Sequence, residues 1–116
     1  PVPLVIALHG AGGDENMFVD AYGQGIVARL AAEQGLILVS PTTTPFVQSA
    51  EPFDSLMALL RRAHRIDSTR VFVMGHSMGA GAAASLARAR PSQIAGVVCL
   101  AGGAAVTVPG APPMLF

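Results

Sequence analysis

The sequence predicts an α/β fold: a mostly parallel sheet with helices on both faces, a three-layer α/β/α arrangement. Three observations predict it. Short apolar runs alternate with helix-length segments along the whole chain, the pattern of strand–helix–strand units. The runs are continuously apolar rather than alternating, as strands buried on both faces are. Glycines and prolines fall between the segments, where the chain must turn. At 116 residues, with no internal repeat, there is room for one domain, 1–116.

Leu4-Val5-Ile6-Ala7-Leu8 is the first strand, and Gly10, Gly12 and Gly13 force a loop after it. A helix is expected from about Tyr22 to Gln34, with Ile26, Val27, Leu30 and Ala31 on its buried side and Gly35 as its stop. Leu36 to Val39 is the second strand. Thr42 to Ala50, polar and proline-containing, is expected to be a loop, and the stretch Thr42 to Pro52 is expected to border the site, with Phe46 and Phe53 either lining it or serving as ordinary packing residues. Pro52 suits a first helical turn, and Leu56, Leu59, Leu60 and Ala63 mark the buried stripe of a helix reaching about His64. Asp67, ahead of Ser68-Thr69, reads as a turn residue. Val71 to Met74 is the third strand, Met78 to Ala89 a helix ended by Pro91, Ile94 to Leu100 the fourth strand, and Met114-Leu115-Phe116 the start of a fifth. Crossovers between such parallel strands are right-handed.

Composition excludes several classes. Hydrophobic residues are 52% and charged residues 12%, against a usual charged share of about 25%, so the chain collapses rather than staying disordered. Seven arginines balance seven carboxylates and there is no lysine, so nothing is built to neutralise a nucleic-acid backbone. The single cysteine, Cys99, excludes an internal disulfide and a cysteine-only zinc site; it reads as a buried, unreactive thiol and leaves the compartment open, cytoplasmic or secreted. Residues 91–116 carry no charge, but Gly96, Gly102, Gly103, Pro109, Gly110, Pro112 and Pro113 would break any membrane-spanning helix there. No basic-then-apolar start resembles a signal peptide.

The informative segment is Gly75-His76-Ser77-Met78-Gly79, between a predicted strand and a predicted helix. A nucleophilic serine must project from a strand end into open space. A very tight strand-to-helix turn does this, at the cost of a strained backbone at the serine. Side chains two residues before and after would clash, so Gly75 and Gly79 fit there. Gly81 to Ala84 would let the helix approach the sheet closely. The helix start also aims backbone N–H groups at developing negative charge. The competing reading is a glycine-rich structural turn with an inert serine.

His9-Gly10-Ala11-Gly12-Gly13 stands at the end of another buried strand. Small residues there let main-chain N–H groups approach a substrate oxygen and, with the Met78 N–H, form an oxyanion hole. The segment fails as a P-loop, which needs Gly-Lys-Ser/Thr. It fails as a dinucleotide fingerprint, because Glu15 stands where the third glycine belongs. Asp14 and Glu15 beside it would also repel phosphate.

With these motifs in place, the sequence resembles the α/β-hydrolases, in particular esterases of the dienelactone hydrolase, polyhydroxybutyrate depolymerase and phospholipase/carboxylesterase type. Leu4–Gly13 resembles the family's third strand and oxyanion loop, Ile66–Gly81 its fifth strand and nucleophile elbow, Ile94–Gly103 its sixth strand and Pro112–Phe116 the opening of its seventh. The expected fold is therefore a partial α/β-hydrolase domain, strands three to seven. The resemblance implies Ser77 as nucleophile, with the backbone N–H groups of Met78 and of Ala11, or alternatively Gly12, as oxyanion donors. It implies a small-molecule ester substrate and no metal or organic cofactor. A serine peptidase of prolyl-oligopeptidase type would use the same elbow, and a non-catalytic module could keep the same scaffold.

In this fold the acid and the histidine follow the serine in chain order. No Asp or Glu follows Asp67 and no His follows His76. His9 belongs to the oxyanion-loop motif in a structural role. His76 neighbours Ser77 but leaves the elbow in another direction, and His64, beside Arg62 and Arg65, is expected at the surface. Asp14, Asp20 and Asp54 are assigned to caps, turns and surface. The expectation is a chain with little activity of its own, self-associating through unpaired sheet edges.

Overall fold

The computed structural model describes all residues, 1–116. Strands β1 (Val2–Leu8), β2 (Ile37–Val39), β3 (Ile66–His76), β4 (Gly96–Leu100) and β5 (Met114–Leu115) form one sheet in the order β2-β1-β3-β4-β5. Every neighbouring pair is parallel. Four α-helices join them: α1 (Ile26–Gln34), α2 (Thr44–Gln48), α3 (Glu51–Ala63) and α4 (Met78–Ala89). From β1 the chain winds outward to β2, then returns past β1 to β3 and winds the other way through β4 to β5. β1 and β3 are thus central neighbours whose following segments diverge. That is the topological switch point at which open parallel sheets form a crevice beyond their carboxyl ends.

The parallel register sets Leu4, Ile6 and Leu8 beside Val71, Val73 and Gly75, and these beside Val97 and Cys99. This face is the core. Its side chains pack on Phe46 of α2, Phe53 and Met57 of α3, and the alanine-rich side of α4, where Ala80, Ala82, Ala83, Ala84, Leu86 and Ala87 are all buried. The other face presents Val5, Leu38 and Met74 to Val27, Leu30 and Ala31 of α1, across a groove of about 230 Å³. On this same face Leu100 and Leu115 are 41% and 65% exposed.

Several boundaries differ from the sequence expectation. The first helix begins at Ile26 rather than Tyr22, because Gly23, Gln24 and Gly25 all have left-handed backbone, φ 54°, 57° and 79°, which no right-handed helix passes through. It also buries only Ala31; Ile26 and Leu30 stay substantially exposed. The segment read as a loop holds the short helix α2, with Pro45 in its first turn. In α3 the buried positions are Phe53 and Met57, flanked by half-buried Leu56 and Leu60, while Leu59 is exposed. The stripe starts from Phe53, which places Leu59, six residues on, about 240° round the helix. Phe53 is a buried packing residue, and Phe46, also buried, borders a concavity between α2 and α4 that Ser77 does not line. β4 starts at Gly96 rather than Ile94.

The third strand extends back to Ile66 through an irregularity. Val2 pairs with Ile66 and Leu4 with Val71, so residues 67–70 bulge opposite Pro3, which has no N–H to offer a ladder. Asp67 organises the bulge. Its Oδ1 accepts the Thr69 N–H at 2.9 Å and the Thr69 hydroxyl at 2.6 Å, and its Oδ2 accepts Arg70 Nε–H at 2.7 Å. These bonds, Thr69's first and Arg70's after, hold the carboxyl down at a pKa of about 2. The turn role expected of Asp67 is thus exercised inside the strand. At the surface, Arg90 grips Asp54 with two N–H donors at 3.0 and 2.8 Å, tying the end of α4 to α3.

Candidate active site

β3 ends at His76 and α4 starts at Met78, leaving Ser77 alone to reverse the chain direction. Ser77 has φ 56° and ψ −111°, a conformation that costs a non-glycine residue about 1–3 kcal/mol. The surroundings over-determine it. Its N–H donates to Leu100 O at 2.8 Å, and its carbonyl accepts from Ala80 N at 3.0 Å and Gly81 N at 3.3 Å. A β-carbon on Gly75 would lie 2.5 Å from Ala80 N, and one on Gly79 would lie 2.8 Å from His9 O. Both glycines are therefore dictated by the closeness of strand, turn and helix. Gly102, after β4, is also constrained, since a β-carbon there would lie 2.7 Å from Ser77 O. Gly81, by contrast, has open space around it; the close approach of α4 rests on Ala82, Ala83 and Ala84 instead. The Ser77 side chain is left at the exposed crest of the turn.

The segment after β1 lies directly beside this turn. Leu8 pairs with Gly75, so Gly10 and Ser77 leave the same end of the sheet, and a β-carbon on Gly10 would be 3.4 Å from Ser77 Cβ. Gly10 to Gly13 form a tight turn closed by Gly13 N–H to Gly10 O at 3.1 Å, with Gly12 at φ 78°, as the third position of a type II turn requires. The N–H groups of Ala11 and Gly12 find no acceptor within the chain. Met78, first residue of α4, has no intrahelical acceptor for its own N–H. The turn and the helix start, each with free donors, thus leave the sheet at the same end as Ser77, at the switch point.

Buried His9 holds this turn. Thr43 N–H donates to its Nε2 at 3.2 Å, so Nε2 is the accepting nitrogen and the ring proton sits on Nδ1, which donates to Gly10 O at 2.8 Å. A peptide unit is planar and trans, so fixing Gly10 O on one side fixes the Ala11 N–H on the opposite side. His9 is a brace, as its place in the motif implied.

The sequence did not single out Tyr22. Its hydroxyl accepts the Gly10 N–H at 3.3 Å and stands 3.0 Å from His76 Nδ1. Its ring packs edge-on against Phe18 and against His76, with centroids 4.8 and 4.9 Å away. The only available signal was a lone tyrosine followed by Gly23 and Gly25. No histidine reaches the Ser77 hydroxyl, which has no hydrogen-bond partner in the protein. His64 lies before β3, at the opposite end of an 11-residue strand, on the order of 30 Å away at the usual rise. Cys99 is buried on the α4 face, its thiol pushed up by burial. No group of three His, Cys, Asp or Glu side chains is disposed to hold a metal ion, and no helix is long and apolar enough to cross a membrane. The two concavities of the surface, the groove under α1 and one of about 250 Å³ between α2 and α4, both lie away from Ser77.

Among solved structures the chain is similar to the fluorophosphonate-binding serine hydrolase F of Staphylococcus aureus (18% identity, TM-score 0.72), covering 84% of this chain and 41% of that one. An acetyl xylan esterase of Aspergillus awamori gives 20% identity and TM-score 0.71, with 84% and 40% covered. An S-formylglutathione hydrolase of Agrobacterium tumefaciens gives 20% and 0.67, with 85% and 46% covered. The chain thus spans about two fifths of the length of these proteins, and at such identities the likeness concerns the fold. No curated protein matches it in sequence. The model of the family described as serine aminopeptidase, S33, matches residues 11–116. Nearly the whole chain is matched, and it belongs to that family of serine hydrolases, with the α/β-hydrolase fold.

Proposed function

We propose that the chain carries the nucleophile and oxyanion hole of a serine hydrolase that cleaves carboxylic esters through an acyl-enzyme. The observation that carries this reading is the strained, exposed Ser77 beside the unpaired N–H groups of the Gly10–Gly13 turn. In the proposed reaction Ser77 Oγ attacks the ester carbonyl carbon and gives its proton to a histidine base. The carbonyl oxygen becomes an oxyanion held by the N–H groups of Met78 and Ala11, with Gly12 as the alternative to Ala11. Collapse expels the alcohol, which takes the proton from the histidine, and leaves acyl-Ser77. Water, activated by the same histidine, then releases the acid and restores the hydroxyl. An acid would orient the histidine. Residues 78–116 hold neither an acid nor a histidine, so both partners of Ser77 are assigned outside this segment.

A base supplies about 10²–10⁴-fold, so the 116-residue chain alone should hydrolyse p-nitrophenyl acetate only slowly. Imidazole added as an external base should raise the rate in wild type above that in Ser77→Ala. Equal imidazole-dependent rates in the two would remove Ser77 from the chemistry. Rapid imidazole-independent turnover by a monomer, lost in Ser77→Ala, would show that the base is already present. The family's description as a serine aminopeptidase favours a second reading, cleavage of peptide amides at the same serine. Comparing ester with aminoacyl p-nitroanilide turnover, in a protein containing the triad partners, separates the two.

A further inference from the structure

We propose that the Tyr22 hydroxyl is a positioning group that locks the oxyanion turn to the serine turn; the catalytic side of this rests on the reading of Ser77 above. The Gly10 N–H can only donate, so Tyr22 Oη accepts it, at 3.3 Å. The hydroxyl's own proton is then free for the other close partner, His76 Nδ1, at 3.0 Å. The relay runs from Gly10 N–H through Tyr22 O–H to His76 Nδ1, and it fixes His76 as the tautomer protonated on Nε2.

This one hydroxyl spans residues 10 and 76, which immediately precede Ala11 and Ser77. It completes a set of restraints on Gly10. The peptide after Gly10 is anchored through its carbonyl by His9 and Gly13, while the peptide before it is anchored through its N–H by Tyr22. Both planes flanking Gly10 are thereby set, and with them the direction of the Ala11 N–H. A side chain at Gly10 would crowd His76, because a β-carbon there would lie 3.1 Å from His76 Nδ1. A glycine at that spot restrains itself poorly, and a hydrogen bond from outside supplies what a side chain cannot. Tyr22 in turn is held by the edge-on contacts with Phe18 and His76. The left-handed run that follows, residues 23–25, turns the chain away into α1.

The test compares wild type, Tyr22→Phe and Phe18→Leu in the ¹⁵N-labelled chain. Tyr22→Phe keeps the ring and removes the hydroxyl; Phe18→Leu loosens the ring packing and keeps the hydroxyl. In wild type and Phe18→Leu, the His76 ring nitrogens should report a single Nε2–H tautomer. In Tyr22→Phe they should report a mixture, and the Gly10 amide should exchange about tenfold faster, roughly the worth of one hydrogen bond, with Ile6 in β1 unchanged. Phosphonylation of Ser77 by a fluorophosphonate should slow about tenfold in Tyr22→Phe and not in Phe18→Leu. Wild-type tautomer and exchange in Tyr22→Phe would overturn the proposal, as would equal shifts in the two variants, which would mean packing alone. Shifts in tautomer and exchange with unchanged phosphonylation would overturn the positioning role. A Ser77 unreactive in every variant would instead count against the nucleophile reading, while tautomer and exchange still decide whether Tyr22 forms the lock.

Discussion

A β-carbon on residue 79 would run into the backbone of Leu8 and His9, whereas one on residue 81, a half-turn further along the same helix, would meet nothing. The two glycines of α4 therefore predict opposite responses. Gly79→Ala forces main chain against main chain, and its cost should reach or exceed the upper end of the ~1–3 kcal/mol typical of overpacking. Gly81→Ala only replaces a flexible helical residue and should stabilise by about 0.5–1 kcal/mol. Urea unfolding midpoints of the two variants check this; a destabilised Gly81→Ala would mean that α4 sits closer to its neighbours than described. The glycines either side of Ser77, Gly75 and Gly79, were readable because Gly-X-Ser-X-Gly states a steric rule in sequence form. Tyr22 was not readable, because its role depends on two partners, 12 and 54 residues away, that meet only once β1 and β3 pair.

At the scale of elements, β3 shows how a local polar residue shapes a strand. Its pairing with β1 skips over residues 67–70, and Asp67 holds that excursion with bonds to Thr69 and Arg70. The folded-state pKa of Asp67, about 2, lies below the ordinary aspartate value of 3.8. A depressed carboxyl contributes stability that is present above the unfolded value and lost as pH falls through the folded one. The stability gap between wild type and Asp67→Asn should therefore be constant near neutrality and shrink between about pH 4 and pH 2. Asp54, held below its ordinary value chiefly by its hydrogen bonds from Arg90, contributes with the same sign, so some acid sensitivity persists in Asp67→Asn. Thermal unfolding from pH 2 to 6 measures both; a gap that does not narrow would remove the charge from the account of the bulge. The element boundaries missed in the sequence have separate local causes. Gln24 takes a left-handed conformation that its residue type does not announce, and α2 is too short for a helical period to show.

Over the whole molecule, the parallel sheet, the order of its elements and the placement of Ser77 were legible in the sequence, because each depends on apolar run length and glycine position. The extent of cover over the sheet was not. Helices α2, α3 and α4 close one face, whereas the other carries exposed Leu100 and Leu115, and the outer strands β2 and β5 pair on one side only. Open edges and apolar faces invite association, so the isolated chain is expected to sediment as concentration-dependent oligomers. A single monomeric species across the concentration range would contradict that. Neither of the two surface concavities borders Ser77.

Under the proposed function, Ser77 differs chemically from the other serines because of where its backbone puts it. Ser49, Ser55, Ser68, Ser85 and Ser92 are also exposed and serve as internal controls. After long exposure of the folded chain to a fluorophosphonate, peptide mass spectrometry should find the adduct on Ser77 at least about tenfold above any of these, since oxyanion-hole donors and binding alone sustain appreciable catalysis over water. Adduct spread evenly over the exposed serines, or concentrated on another one, would contradict the account.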